Sequence, residues 1–106
     1  MHQCLSFLQQ NGIFVWRQNS GAVRVGKRFV RFTSIKGVSD IIGLTSDGRF
    51  IAVECKRERG GVLSPEQKKF LESVKRNGGI GIVANSLDTL ISELKKNNVK
   101  LLINFL

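Results

Sequence analysis

Two strand-like runs, Ser39 to Thr45 and Arg49 to Lys56, flank the tripeptide Ser46-Asp47-Gly48. Asp-Gly between runs rich in apolar residues is a strong hairpin signal, because both residues tolerate the backbone angles of a tight turn. Two loop lengths fit. A two-residue loop pairs Asp40 with Cys55, whereas a three-residue loop with Gly48 in the left-handed position pairs Thr45 with Arg49 and hence Asp40 with Glu54. The choice matters, because a slip of one residue carries every side chain of a strand to the opposite face.

The segment after the hairpin predicts a strand–helix–strand unit. Ser64 is a natural N-cap, Pro65 suits the first helical position and Gln67 completes a capping box. Phe70, Leu71 and Val74 form the apolar stripe of this helix, and Gly78-Gly79 ends it. Ile80 to Ala84 reads as a buried strand, and Ser86 caps a second helix with Leu87, Leu90, Ile91 and Leu94 at helical spacing. Val99 to Leu106 reads as a last apolar strand or packing segment. Before the hairpin, Gln3 to Gln10 predicts a short helix with Cys4, Leu5 and Leu8 on one face, followed by a strand over Ile13 to Arg17. Gly21 to Lys27 reads as a hairpin tip, and Arg28 to Thr33 as another strand. A strand joined to the next strand through a helix favours a parallel pair. The expectation is an α/β domain spanning residues 1–106, with a mixed β-sheet flanked by helices.

Charge narrows the partner. The chain has 17 Lys and Arg against 8 Asp and Glu, a net charge of +9. The first acidic residue is Asp40, and Arg17, Arg24, Lys27, Arg28, Arg31 and Lys36 all precede it. Arg57 and Arg59 add to this in the loop after Lys56. Such a surface attracts polyanions, with nucleic acid the leading candidate. Nothing resembles a recognition helix, so Lys27, Arg28 and Arg31 are expected on phosphates rather than base edges. No apolar run approaches the roughly 18 residues of a membrane span, so no membrane partner is expected. Cys4 and Cys55 lack metal-site spacing, and an intracellular location is the default. Trp16 is expected in the core and His2 on the surface.

The second strand of the hairpin carries the chemistry. Alternation sends Ile51, Val53 and Cys55 toward a core, and Glu54 and Lys56 to the other face. With the three-residue loop, Asp40 stands directly opposite Glu54, and opposed carboxylates repel. Lys56 offsets part of that charge, and a divalent cation would offset more; oxygen ligands suit Mg2+ or Mn2+. Asp40, Glu54 and the backbone carbonyl of Cys55 are the expected ligands. A metal so held lowers the pKa of bound water and offsets charge on a phosphoryl transition state. Lys56 is expected to orient or deprotonate the water, or to stabilise the phosphate.

The pattern Gly37-Val38-Ser39-Asp40, a hairpin, then Glu54-Cys55-Lys56 resembles the PD-(D/E)XK nuclease motif. Ser64-Pro65-Glu66-Gln67, Phe70-Leu71 and Gly78-Gly79 resemble the virus-type replication-repair nuclease (VRR-NUC) branch of that superfamily. The stretch Trp16-Arg17-Gln18-Asn19-Ser20-Gly21 is similar to its basic hairpin region, which adds Arg17 and Asn19 to the expected DNA contacts. The resemblance covers about residues 5 to 90. It implies a restriction-endonuclease-like core in α-β-β-β-α-β order and a Mg2+- or Mn2+-dependent deoxyribonuclease. Asp40 and Glu54 then match the metal-binding acids, Lys56 the motif lysine, and Gln67 a glutamine beside the site. Small stand-alone members resemble Holliday-junction resolvases and form homodimers, which implies branched DNA and a twofold partner here. Two departures stand out: Ser39 takes the place of the motif proline, and no first-helix glutamate exists. Competing readings are a duplex, single-strand or flap nuclease of the same chemistry, and a non-catalytic basic binding module. The host compartment would be the cytoplasm of a bacterial or phage-infected cell, or a nucleus.

Overall fold

The computed structural model describes residues 2–18, 22–31, 35–56 and 61–102, with the backbone course alone at 22–25 and 28–31. The chain runs α1 (His2–Gln10), β1 (Phe14–Arg17), β2 (Ala22–Val25), β3 (Arg28–Arg31), β4 (Ile41–Leu44) and β5 (Phe50–Cys55). It continues through α2 (Pro65–Arg76), β6 (Ile80–Ala84) and α3 (Leu87–Lys96). Four strands form a mixed sheet in the order β1-β4-β5-β6, and β2 and β3 form a separate two-stranded ribbon. β1, β4 and β5 are antiparallel in sequence of neighbours, whereas β5 and β6 are parallel, joined through α2.

The hairpin register follows from its turn. Thr45 N–H donates to the Arg49 carbonyl at 2.9 Å, and Gly48 N–H donates back to the Thr45 carbonyl at 3.0 Å. Gly48 has φ +83, the left-handed conformation that glycine adopts without steric cost. The loop therefore has three residues. Leu44 pairs with Phe50 and Ile41 with Val53, so the next pair outward is Asp40 and Glu54. Arg49 pins this turn to the rest of the protein: it bridges Asp47 at 2.9 Å and donates to the carbonyls of Asn97 and Asn98 beyond α3.

One face of the sheet is closed by α1 and α3, which touch each other. Val15, Ile41, Ile51, Val53, Ile80 and Ile82 meet Phe7, Leu8, Leu90 and Leu94 there in one buried cluster. Among the described residues the other face receives α2, over β5 and β6. Alternation puts Phe14, Trp16, Leu44 and Phe50 on this second face, and all four are exposed. Trp16 is therefore not a core residue as its type suggests: among the described residues no helix covers the β1 and β4 half of that face. A further expectation gives way: Ala22–Val25, expected as part of a hairpin tip, is a strand paired with β3. Of the two readings of the last segment, strand or packing segment, the described part follows the second: no strand forms over 97–102, Val99 is buried and Leu101 packs against the core, and the rest of that segment lies outside the described residues.

α2 docks at one close approach. Gly37 has φ +78, and a Cβ there would overlap the Glu66 carbonyl and come within 2.6 Å of the Gln67 nitrogen. Gly37→Ala is expected to cost at least about 2 kcal/mol, from both the left-handed backbone and the displaced helix. Urea denaturation checks this; a loss under about 0.5 kcal/mol would mean that α2 moves away freely.

Candidate active site

The register places Gln18, Asp40, Glu54 and Val83 in one row across the sheet, on the face that carries α2. Gln18 N–H donates to the Asp40 carbonyl at 2.8 Å, and Cys55 N–H donates to Asp40 Oδ2 at 3.1 Å. Glu54 is almost wholly buried, at 1% exposure. Gln67 Nε2 donates to its Oε1 at 3.1 Å, across the gap between β5 and α2. Each acid thus has one oxygen held by a donor from the protein.

The remaining oxygen of Glu54 is the anomaly. Oε2 is buried with no hydrogen-bond partner among the described residues, and Ser39 Oγ is in the same condition. A buried carboxylate in this state is costly. Burial pushes the Glu54 carboxyl up to about 8, and the nearby Asp40 carboxylate adds to the shift. The Lys56 ammonium and the Ser39 hydroxyl pull the other way. Ser39, in the position of the motif proline, therefore places a polar group beside the acid.

Gln67 has two roles at once. Its Oε1 accepts from Ser64 N–H at 2.9 Å and its backbone N–H donates to Ser64 Oγ at 3.1 Å, closing the capping box of α2. Its Nε2 is the end that reaches Glu54. One side chain starts the helix and orients the acid. The N-terminus of α2 also presents its partial positive charge on this side.

The other expected residues divide. Lys56 follows β5, with its side chain on the Glu54 face by alternation, and its N–H donates to the Ala84 carbonyl at 2.9 Å. The Cys55 side chain packs against the core on the far face. Lys27 is exposed at the turn between β2 and β3, and Lys36 is exposed beside α2. Arg17 is exposed, but alternation turns it to the face opposite the carboxylates. The side chains of Arg24, Arg28 and Arg31 lie outside the described structure, as do Asn19, Arg57 and Arg59 entirely. A cleft of about 730 Å³ runs along α2 past Lys36, Phe50, Glu66 and Phe70, and the two acids do not line it. Sequence reasoning missed Gln18, whose only signal was its distance from Asp40 along paired strands.

Among the described residues there is no group of three or more His, Cys, Asp or Glu side chains able to hold a metal. Two opposed carboxylates and a nearby main-chain carbonyl nevertheless fit a hard divalent cation, and the orphaned Glu54 Oε2 is the observation that favours one. A mixed sheet flanked by helices, with two acids and a lysine at the mouth of a β-hairpin, is the restriction-endonuclease-like α/β class of nuclease fold. The VRR-NUC domain family matches residues 26–88, more than half of the chain and all of Asp40, Glu54, Lys56 and Gln67. The chain belongs to that family, and is thus a nuclease-family protein whose substrate class is DNA. No curated protein and no solved structure matches it.

The raised Glu54 value has a sign. Between its ordinary 4.5 and about 8, the unfolded chain has released a proton that the folded protein keeps. Stability from this group is therefore full below about pH 4.5 and falls as the pH rises toward 8. With chelator present, Glu54→Gln is expected to be more stable than wild type at high pH by on the order of 3 kcal/mol, with the gap closing in acid. Urea denaturation across that range measures it; a pH-independent difference would assign the titration to another group.

Proposed function

We propose that this chain is a Mg2+- or Mn2+-dependent, structure-selective DNA endonuclease that hydrolyses phosphodiester bonds, with four-way junctions its preferred substrate. In this reading residues 1–106 form one VRR-NUC-like nuclease domain. The observation that carries the metal-dependent chemistry is the in-register opposition of Asp40 to a buried Glu54 with one unsatisfied oxygen. Asp40, Glu54 and the Cys55 carbonyl hold the cation, which when bound supplies an acidified water and offsets charge on the phosphoryl oxygens.

The chain's own residues do the rest. Cys55 N–H and Gln67 Nε2 each hold one oxygen of Asp40 and Glu54 and so fix both carboxylates in orientation. Lys56, whose charge acts on Glu54, steadies the attacking water or the phosphate. Phosphate contacts fall to the basic residues Arg17, Arg24, Lys27, Arg28, Arg31, Lys36, Arg57 and Arg59 and to the amide of Asn19, with no base reading, which favours recognition of DNA shape. A homodimer, supported by the resemblance to junction resolvases, sets two sites against two strands.

Asp40→Ala, Glu54→Gln and Lys56→Ala are each expected to lower manganese-dependent cleavage of a labelled four-way junction by at least about 100-fold. Far-ultraviolet circular dichroism should remain that of the wild type. Retained cleavage in the Asp40 or Glu54 variant removes that residue from the site. Equal cleavage of the junction and a linear duplex of the same sequence removes the selectivity.

A further inference from the structure

Phe14 and Trp16 stand side by side on β1, on the sheet face that carries the acids. Their ring centroids are 5.4 Å apart and the rings are inclined at 58°. They are 68% and 42% exposed, and neither belongs to the buried cluster. Both lie outside the residues 26–88 that match the nuclease family. Trp16 pairs with Ile42, one pleat repeat from the row of Gln18, Asp40 and Glu54. Two strand spacings, roughly 10 Å, separate β1 from β5.

The indole is held in orientation. Its Nε1–H donates to Gln18 Oε1 at 3.2 Å, and Gln18 N–H donates to the Asp40 carbonyl at 2.8 Å. An aromatic face kept open beside a phosphodiesterase site, on a chain of net charge +9, fits the flat face of a nucleobase. In duplex DNA both faces of each base are covered by its neighbours. An unpaired base at a flap, a junction or a single strand has a free face to offer.

We propose that Trp16, backed by Phe14, is a stacking platform for an unpaired base of the strand delivered to Asp40 and Glu54. This rests on the nuclease reading above and names the feature of the substrate that the site selects. It gives the enzyme a direct contact with strand opening, independent of sequence, because every base has a π-face.

Trp16 is the only tryptophan of the chain, so its fluorescence reports on this position alone. The test titrates the protein, in chelator and low salt, with a single-stranded oligonucleotide and with a duplex of equal length, following tryptophan emission and the anisotropy of labelled DNA together. The single strand is expected to quench the emission at least twofold more than the duplex. Trp16→Ala is expected to weaken single-strand binding roughly 5- to 150-fold, and duplex binding less than twofold. Trp16→Phe, which keeps a flat ring on the strand, is expected to recover most of that loss.

Four results would overturn the proposal: DNA binding without quenching, equal weakening of both substrates in Trp16→Ala, no binding of either DNA, or a Trp16→Ala variant altered only in sedimentation. The last would reassign the aromatic strip to a contact between copies of this chain. Manganese-dependent junction cleavage by the wild-type protein is scored separately, so failure of the platform leaves the nuclease reading standing, and the converse holds.

Discussion

The pairing of Thr45 with Arg49 puts two carboxyl groups opposite each other, and the surroundings of the site are arranged around that repulsion. Like charges across a strand pair destabilise a sheet, and burial of one of them deepens the cost. The protein answers with donors: a main-chain N–H on Asp40, the Gln67 amide on Glu54, and the ammonium of Lys56 close by. These leave one buried oxygen without a partner among the described residues. Such incompletely solved electrostatics are where a functional site departs from the rules that govern the remainder of a fold. The hydrophobic cluster beneath, closed by α1 and α3 on the opposite face, is the platform that holds the pair in place.

The local parts of this architecture were legible in the sequence. Ser64-Pro65 and Ser86 announced both later helices, and the buried strand Ile80–Ala84 was bounded by its own residues. The three-residue hairpin was one of two readings, because Asp47-Gly48 fits both loops. The hydrogen bonds of Thr45 and the left-handed Gly48 decide between them. Gln67 posed a choice between cap and site that the structure dissolves, since its oxygen serves one and its nitrogen the other.

What the sequence concealed was layer coverage. Trp16 has the composition of a core residue, and its neighbour Val15 is buried. Whether the next side chain is buried depends on a helix dozens of residues away, and α2 settles over β5 and β6 instead. For the same reason the apolar residues after α3 gave no reliable sign of pairing: Val99 and Leu101 find a packing site before any free strand edge. β2 was hidden by the glycines around it, which read as a turn although Ala22–Val25 finds a complete partner in β3.

The double use of Gln67 has a consequence for how the molecule breathes. Helix ends are the first parts of a protein to open, and they open at a fraction of the global free energy. When the first turn of α2 lets go of Ser64, the same amide is freed from its anchor beside Glu54. Water then gains the buried acid while the sheet below is still whole. The surroundings of Glu54 are thereby tied to a single helical turn, the part of a helix that opens at the least free energy.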